Sequence, residues 1–392
     1  MISFDNTKIA FSGKSDSDLR RSFWLFRMIG SPSIVKIGKG LTTFALKLHL
    51  PIKGIIKATI FKQFVGGENI EECNRTVAEL GKFNIGTILD YSVEGKETET
   101  DFDNCCSETI ATIDRAKNDP HIPFCVFKVT GLARLTCLEK VSSGEKISTD
   151  EISEFERIRK RVEKICEVAH KYNKPIFLDA EESWIQQAID DLADEMMEKF
   201  NKEKPIVYNT FQLYRKDRLE YLQKTFEKGV KKNFFVGAKL VRGAYMEKER
   251  ERAVVMNYPS PIQETKADTD RAYNAALMFC VEHIDRIAVC AGTHNEESSL
   301  LLVKALEEKK ITHNHPHIFF SQLLGMSDHI SFNLSNDHFN VAKYVPYGPV
   351  KEVLPYLIRR AQENTSVKGQ TGRELNLIIK EQQRRKGNYT KN

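Results

Sequence analysis

Several short apolar stretches of this 392-residue sequence end on residues that can carry chemistry. PFCVFK closes on Lys128, and PIFLDAEE supplies Asp179 and Glu181 with Ala180 between them. PIVYNTFQ ends at Gln212, and FFVGAKLVRGAY carries Lys239 and Arg242 ahead of Gly243, Ala244 and Tyr245. RIAVCAGTHN ends in Thr293, His294 and Asn295, HIFFSQLL contains Gln322, and NVAKYVPYG contains Tyr344. A charged group within an apolar strand is costly unless paired. One such residue reads as an internal ion pair, whereas seven strands each carrying a polar or charged group near the end read as a site. A further set lies in KEVLPYLIRRAQEN, where Tyr356, Arg360 and Glu363 fall at i, i+4 and i+7 on one helical face, with Arg359 beside them. Adjacent arginines can converge on one carboxylate, each with a planar fork of donors. A solvated helix with an Arg359–Glu363 pair fits that motif equally well. Lys128 and Lys239 are also the residue type from which a barrel aldolase forms a Schiff base. His294 is a candidate base or metal ligand, and HNHPH (His313 to His317) invites a metal. That cluster precedes its apolar run, at the end away from the other residues, so no metal site is assigned.

These residues need a frame that brings strand ends together. From residue 84 onward, eight β-type runs alternate with longer amphipathic stretches, among them Asp150 to Lys171, Ser183 to Asn201, Leu213 to Lys231, Gln263 to His283 and Glu296 to Lys309. Near-continuous apolar strands alternating with helices imply a parallel sheet. Eight such units predict an α/β fold, a (β/α)8 TIM-like barrel of roughly 250 residues with reactive groups at the C-terminal ends of its strands. An open doubly wound sheet is the alternative, but no GxGxxG follows any strand. HISFNLS follows the seventh run too closely for a crossover and is read as part of the seventh helix. Gly66 and Gly67 read as a turn between N-terminal helices. The expected organisation is an N-terminal helical arm over 1–83, the barrel over 84–367 and a basic C-terminal segment over 368–392, an extra helix ending in a frayed tail.

Composition bounds the rest. With 41% hydrophobic and 29% charged residues the chain reads as a soluble globular protein, and its net charge of +5 is too mild to imply nucleic acid. No 18-residue uncharged apolar run and no leader pattern are visible. The eight cysteines form no CxxC pair, so a reduced, cytoplasmic protein is expected. The charge is uneven: Arg20 to Gly67 carries nine Lys and Arg residues and no Asp or Glu, among apolar groups such as FWLF. Such an arm can lie on an anionic bilayer, here the inner face of the cell membrane, or pack on the barrel with its lysines in water.

FLDAEE, KLVRGAY, GTHN and YVPYG followed by YLIRR-x-x-EN, in this order, resemble the proline dehydrogenase family, in its monofunctional bacterial form. The resemblance spans about residues 60 to 367 and takes in LDYSVEG and VYNTFQLY. It implies an FAD enzyme that oxidises L-proline to Δ1-pyrroline-5-carboxylate and passes electrons to a membrane quinone. A transient contact with the pyrroline-5-carboxylate dehydrogenase that uses the product follows from the same resemblance. By position it implies that Lys128 pairs with Asp179 beside the substrate, that Arg359 and Arg360 bind the carboxylate, and that Tyr245, Leu324, Tyr344 and Tyr356 enclose the ring. Lys239 falls where many bacterial members have an Arg near the flavin N5, and Asp179 and Lys239 are the implied catalytic pair. Ala180, Gln212, Arg242, Gly243, Ala244, Thr293, His294, Asn295, Gln322 and Glu363 would surround the FAD. Tyr344 speaks for proline over 4-hydroxyproline, because in hydroxyproline dehydrogenases a smaller residue stands there.

Overall fold

The computed structural model describes residues 2–31, 33, 36, 53–92, 97–366 and 370–389, and leaves aside the side chains of 362–366, 370, 371, 388 and 389. Eight parallel strands close into a barrel in chain order. They are β1 (Ile85–Tyr91), β2 (Phe124–Lys128), β3 (Ile176–Asp179), β4 (Val207–Gln212), β5 (Val236–Val241), β6 (Ile287–Gly292), β7 (Ile318–Leu323) and β8 (Val341–Tyr347). Closure is made by β8 pairing with β1, from Ile85 opposite Val341 to Tyr91 opposite Tyr347. The expected (β/α)8 barrel is therefore the observed fold.

Alternation along each strand separates two cores. Ile176 and Leu178 of β3, and Ala238 and Leu240 of β5, face the surrounding helices. Phe124, Val126, Phe177, Tyr208, Cys290 and Tyr344 fill the lumen, where Phe124 stacks on Phe177 with ring centroids 4.5 Å apart. Continuing the same parity upward places Asp90, Lys128, Asp179 and Lys239 in the lumen mouth, above that aromatic floor. Two acids and two bases thus share one layer.

The ring of helices starts where capping chemistry dictates. Ser148 and Glu151 form a reciprocal capping box for Thr149–Lys171, and Thr265 and Asp268 do so for Lys266–Glu282. The helix expected from Leu213 begins instead at Arg218, because Leu213 and Tyr214 still donate to the Val241 and Arg242 carbonyls. HISFNLS lies in the helix Asp328–Asn336, as its spacing predicts. Gly66 and Gly67 do more than turn. Gly66 donates to the Pro346 carbonyl and Gly67 bridges to Tyr347, and a Cβ on Gly66 would lie 2.5 Å from Val345 Cγ1. They let the N-terminal segment lie against the end of β8.

The C-terminal segment forms the extra helix expected of it, and that helix is packed rather than solvated. Helix Gln370–Tyr389 buries Glu374, Leu377, Ile378 and Glu381, and its Arg385 reaches Asp16 and the Phe11 carbonyl near helix Asp16–Ile29. Both termini therefore pack together against the barrel. In the basic arm, Lys39 and Lys47 lie outside the described residues. Lys53 and Lys57 pair with Glu68 at 2.9 and 2.8 Å, so acids just beyond the acid-free stretch take up part of its charge. Arg20, Trp24, Arg27 and Met28 form an exposed face of helix Asp16–Ile29. Among the described residues no helix is long and apolar enough to cross a membrane. All eight cysteines are free thiols.

Candidate active site

Asp179 sits at the centre of the lumen mouth. Its Oδ1 is 2.5 Å from Lys239 Nζ and its Oδ2 accepts the Tyr344 hydroxyl at 2.5 Å. The Lys239 ammonium lies 4.4 Å from the Tyr344 ring centroid and 5.2 Å from that of Phe177. Attraction to an aromatic face adds to the ion pair in a dry setting. Burial, with Asp179 next in weight, drives the Tyr344 hydroxyl far above its ordinary pKa, so it stays a donor.

Lys128 lies opposite Asp179 in the β2–β3 register, and its positive charge bears on the buried carboxyls of Asp90 and Glu181. The expected pair, Lys128 with Asp179, comprises neighbours in this register, and the lysine whose ammonium is seen on Asp179 is Lys239, from β5. Glu181 is held by Thr130, whose N–H donates at 3.0 Å and whose hydroxyl donates at 2.5 Å. Burial raises its carboxyl to about 7, Lys128 opposing. Asp90 is likewise raised by burial and accepts the Ser92 hydroxyl at 2.5 Å. Sequence reading assigned Asp90 no role. The signal was there, since LDY of β1 repeats the Leu-Asp step of LDA in β3.

Helix Leu354–Ser366 lies near this mouth, with Tyr356 bearing electrostatically on Tyr344. Tyr356 and Arg360 are buried on it, with the guanidinium 5.2 Å from the Tyr356 ring centroid. Arg359 is half-buried and its charge bears on Tyr245, while that of Arg360 bears on His294. The side chain of Glu363 lies outside the described residues. Leu324 follows β7, its N–H donating to the Tyr344 carbonyl at 2.8 Å.

The residues after β5 and β6 form a second patch. Arg242 donates to Asp270, Thr293 and Ser298 at 2.7, 2.7 and 3.0 Å and lies over the Tyr273 ring, so its fork is locked in place. Gly243 has φ +136, and a Cβ there would sit 2.4 Å from the Tyr214 ring. The next residue, Ala244, is exposed like Gly243, so the turn presents bare backbone. The Gln212 Oε1 is buried without a hydrogen-bond partner. A buried lone acceptor calls for a donor that the chain does not supply, and an N–H edge of a flat heterocycle would fit it. Together with Lys239 and Arg242, this donor set suits a flavin dinucleotide.

Other expected residues divide. His294 is half-buried, and burial, then Lys343, push it down to about 3, so the ring is neutral. Asn295 uses its side-chain carbonyl to cap helix Glu296–Glu308 through the Ser298 N–H. By parity Gln322 points outward from β7, and its amide joins the Thr293 carbonyl to the Ser331 hydroxyl. It props the β6 end rather than facing the lumen. In HNHPH, His313 stacks on Phe339, and the Nδ1 atoms of His313 and His317 donate to the Asp337 and Ile284 carbonyls.

A family model described as proline dehydrogenase matches residues 73–373. The chain is 35% identical to proline dehydrogenase 1, mitochondrial, of Dictyostelium discoideum, over 98% of this chain and 75% of that protein. It is also 35% identical to carbapenem antibiotics biosynthesis protein CarD of Pectobacterium carotovorum subsp. carotovorum, over 89% of this chain and 91% of that one. A crystal structure of proline utilization A (PutA) from Bdellovibrio bacteriovorus, inactivated by N-propargylglycine, superposes with a TM-score of 0.73 at 19% identity. That match covers 92% of this chain and 38% of that much longer one, and it speaks to the fold.

Proposed function

This chain belongs to the proline dehydrogenase family of oxidoreductases, and from that premise we propose that it oxidises L-proline to Δ1-pyrroline-5-carboxylate with FAD as hydride acceptor, delivers the electrons to a membrane quinone, and so opens proline catabolism. The observation that carries the reading is the Lys239–Asp179–Tyr344 cluster, near the helix bearing Tyr356, Arg359 and Arg360.

Bound FAD supplies the hydride acceptor, and the protein supplies position and electrostatics. Arg359 and Arg360 take the carboxylate, with Lys128 as further positive charge. Tyr344, Tyr356, Tyr245 and Leu324 wall the ring, which fixes C5 toward the flavin face and removes the cost of orienting it. Proline must react with a neutral nitrogen, because its lone pair drives hydride departure from C5. Asp179 spends one oxygen on each of Lys239 and Tyr344, so it orients both. Lys239 brings positive charge to the strand-five position where negative charge grows during transfer. Gln212, Arg242, Gly243, Ala244, Thr293 and His294 hold the cofactor, with Ala180, Asn295 and Glu363 as further contacts and Gln322 bracing Thr293.

A lipid-soluble acceptor requires contact with the bilayer. The exposed face of Arg20, Trp24, Arg27 and Met28 supports docking of the basic arm on an anionic surface. A transient contact with the enzyme that consumes the product belongs to the same proposal.

The direct test is product identity. Wild-type protein given L-proline and a soluble dye should yield the cyclic imine, lighter by two hydrogens in mass spectrometry. Unchanged proline, with the flavin bound, would overturn the reading.

A further inference from the structure

The matched family segment ends at residue 373, and the next residue is buried beside the site. Glu374, on helix Gln370–Tyr389, is 2% exposed and accepts the backbone N–H of Ser327. Ser327 is fully buried, and its Oγ is 2.9 Å from Nδ1 of His294.

Ser327 occupies an unusual conformation for this work. It precedes helix Asp328–Asn336 as the capping residue, yet its φ is +50 and its hydroxyl makes no capping bond. A serine in that place ordinarily caps its own helix, and an L-residue in the left-handed region costs about 1 kcal/mol that glycine would avoid. Here the backbone N–H is given to a carboxylate and the hydroxyl to a histidine. Both departures make sense if the link itself is needed.

The loop around Ser327 is pinned from both chain termini. Lys343, fully buried on β8, donates to the Met326 carbonyl at 2.5 Å and pairs with Asp328 at 2.9 Å; Lys14 closes on Asp328 at 2.7 Å. Gln63 donates to the Gly325 carbonyl at 2.9 Å. Beside Glu374, Arg373 and His329 both bind Glu296, at the start of the helix that follows His294.

We propose that Glu374, acting through Ser327, is a positioning residue that fixes the orientation and tautomer of His294 for the flavin. Among the described hydrogen bonds the Ser327 hydroxyl has no acceptor other than His294 Nδ1. The hydroxyl proton goes to Nδ1, and the ring proton sits on Nε2, where it can donate to the cofactor. The C-terminal helix is therefore part of the cofactor site. The flavin half of this inference rests on the function proposed above; the tautomer half does not.

Three variants separate positioning from mere support. Ser327→Gly accepts the backbone conformation and keeps the N–H for Glu374 while removing the hydroxyl. Glu374→Ala removes the carboxylate, and Glu374→Gln keeps an acceptor oxygen. The readouts are the 15N shifts of the His294 ring in the flavin-free protein and FAD affinity by fluorescence quenching. In wild type and Glu374→Gln, one protonated and one bare ring nitrogen are expected. In Ser327→Gly the two signals should move toward each other, with FAD affinity down about tenfold, the worth of one hydrogen bond, and melting temperature unchanged. Glu374→Ala should shift the ring signals in the same sense. Unaltered ring signals and FAD affinity in Ser327→Gly would overturn the proposal, and that variant decides alone if Glu374→Ala fails to fold. So would a Glu374→Ala variant that lowers the melting temperature and leaves the ring signals in place. Wild-type protein that shows the tautomer but takes up no FAD would sink the proposed function and leave the relay standing.

Discussion

At the scale of single residues, the site is a set of buried charges that neutralise one another. Asp179 has two oxygens and two fixed partners, and Tyr344 is one of them. If its ring excludes a 4-hydroxyl group, Tyr344→Ser should narrow the preference for proline over trans-4-hydroxyproline by on the order of tenfold. The ratio of kcat/KM values measures this, and an unmoved ratio places the specificity elsewhere. Glu181 gives a pH prediction. Its carboxyl is raised by burial from 4.5 to about 7. A raised carboxyl is protonated in the folded state while already ionised in the unfolded chain. Its stabilising share is thus full below about pH 4.5 and lost as pH rises through about 7. The shift corresponds to on the order of 3 kcal/mol. Glu181→Gln should therefore flatten the decline in unfolding free energy across that window. An equal decline in both proteins would contradict the assignment. The residue types of this layer were legible in the sequence as charged groups at strand ends. Their partners were not, because pairing across a lumen depends on barrel closure: Lys239 reaches Asp179 from two strands away.

At the scale of elements, turns and caps aim the side chains. The turn after β5 depends on Gly243, with φ +136 and the Tyr214 ring 2.4 Å from any added Cβ. Gly243→Ala should cost about 1–3 kcal/mol and weaken FAD binding, because the turn or Tyr214 must move. Denaturant unfolding and flavin titration check this, and a variant equal to wild type in both would refute it. The eight strands and most helices were readable from periodicity. Helix Met246–Val255 was not, because EKERER offers no apolar stripe; its Glu249 is buried by accepting the Ser183 N–H and hydroxyl. The outward direction of Gln322 was not legible for a different reason. Strand parity near the end of β7 depends on where the strand begins, and a one-residue slip exchanges lumen for outer face. The C-terminal helix was expected, but its packing was not legible, because its buried acids, Glu374 and Glu381, look like solvent residues in sequence.

At the scale of the whole molecule, both termini pack against the barrel, and the proposed function asks it to meet a water-soluble amino acid and a lipid-soluble acceptor. The exposed Arg20, Trp24, Arg27 and Met28 face should bind anionic vesicles reversibly, each cation near the surface adding about 1 kcal/mol, screened by salt. Changing Arg20 and Arg27 to Gln and Trp24 to Ala should reduce co-sedimentation and turnover with a long-chain quinone. Turnover with a soluble dye should hold. Lys53 and Lys57 are poorer targets, being tied to Glu68. Sedimentation like that of the wild type would make the arm structural alone. The central claim, that this barrel holds a flavin which proline reduces, has a more direct test. The purified protein is placed under anaerobic conditions, its visible spectrum is recorded, and L-proline is titrated in. The account predicts an oxidised-flavin band that bleaches stoichiometrically with L-proline and not with D-proline; a protein without that band after reconstitution with FAD, or a band that L-proline leaves untouched, would contradict it.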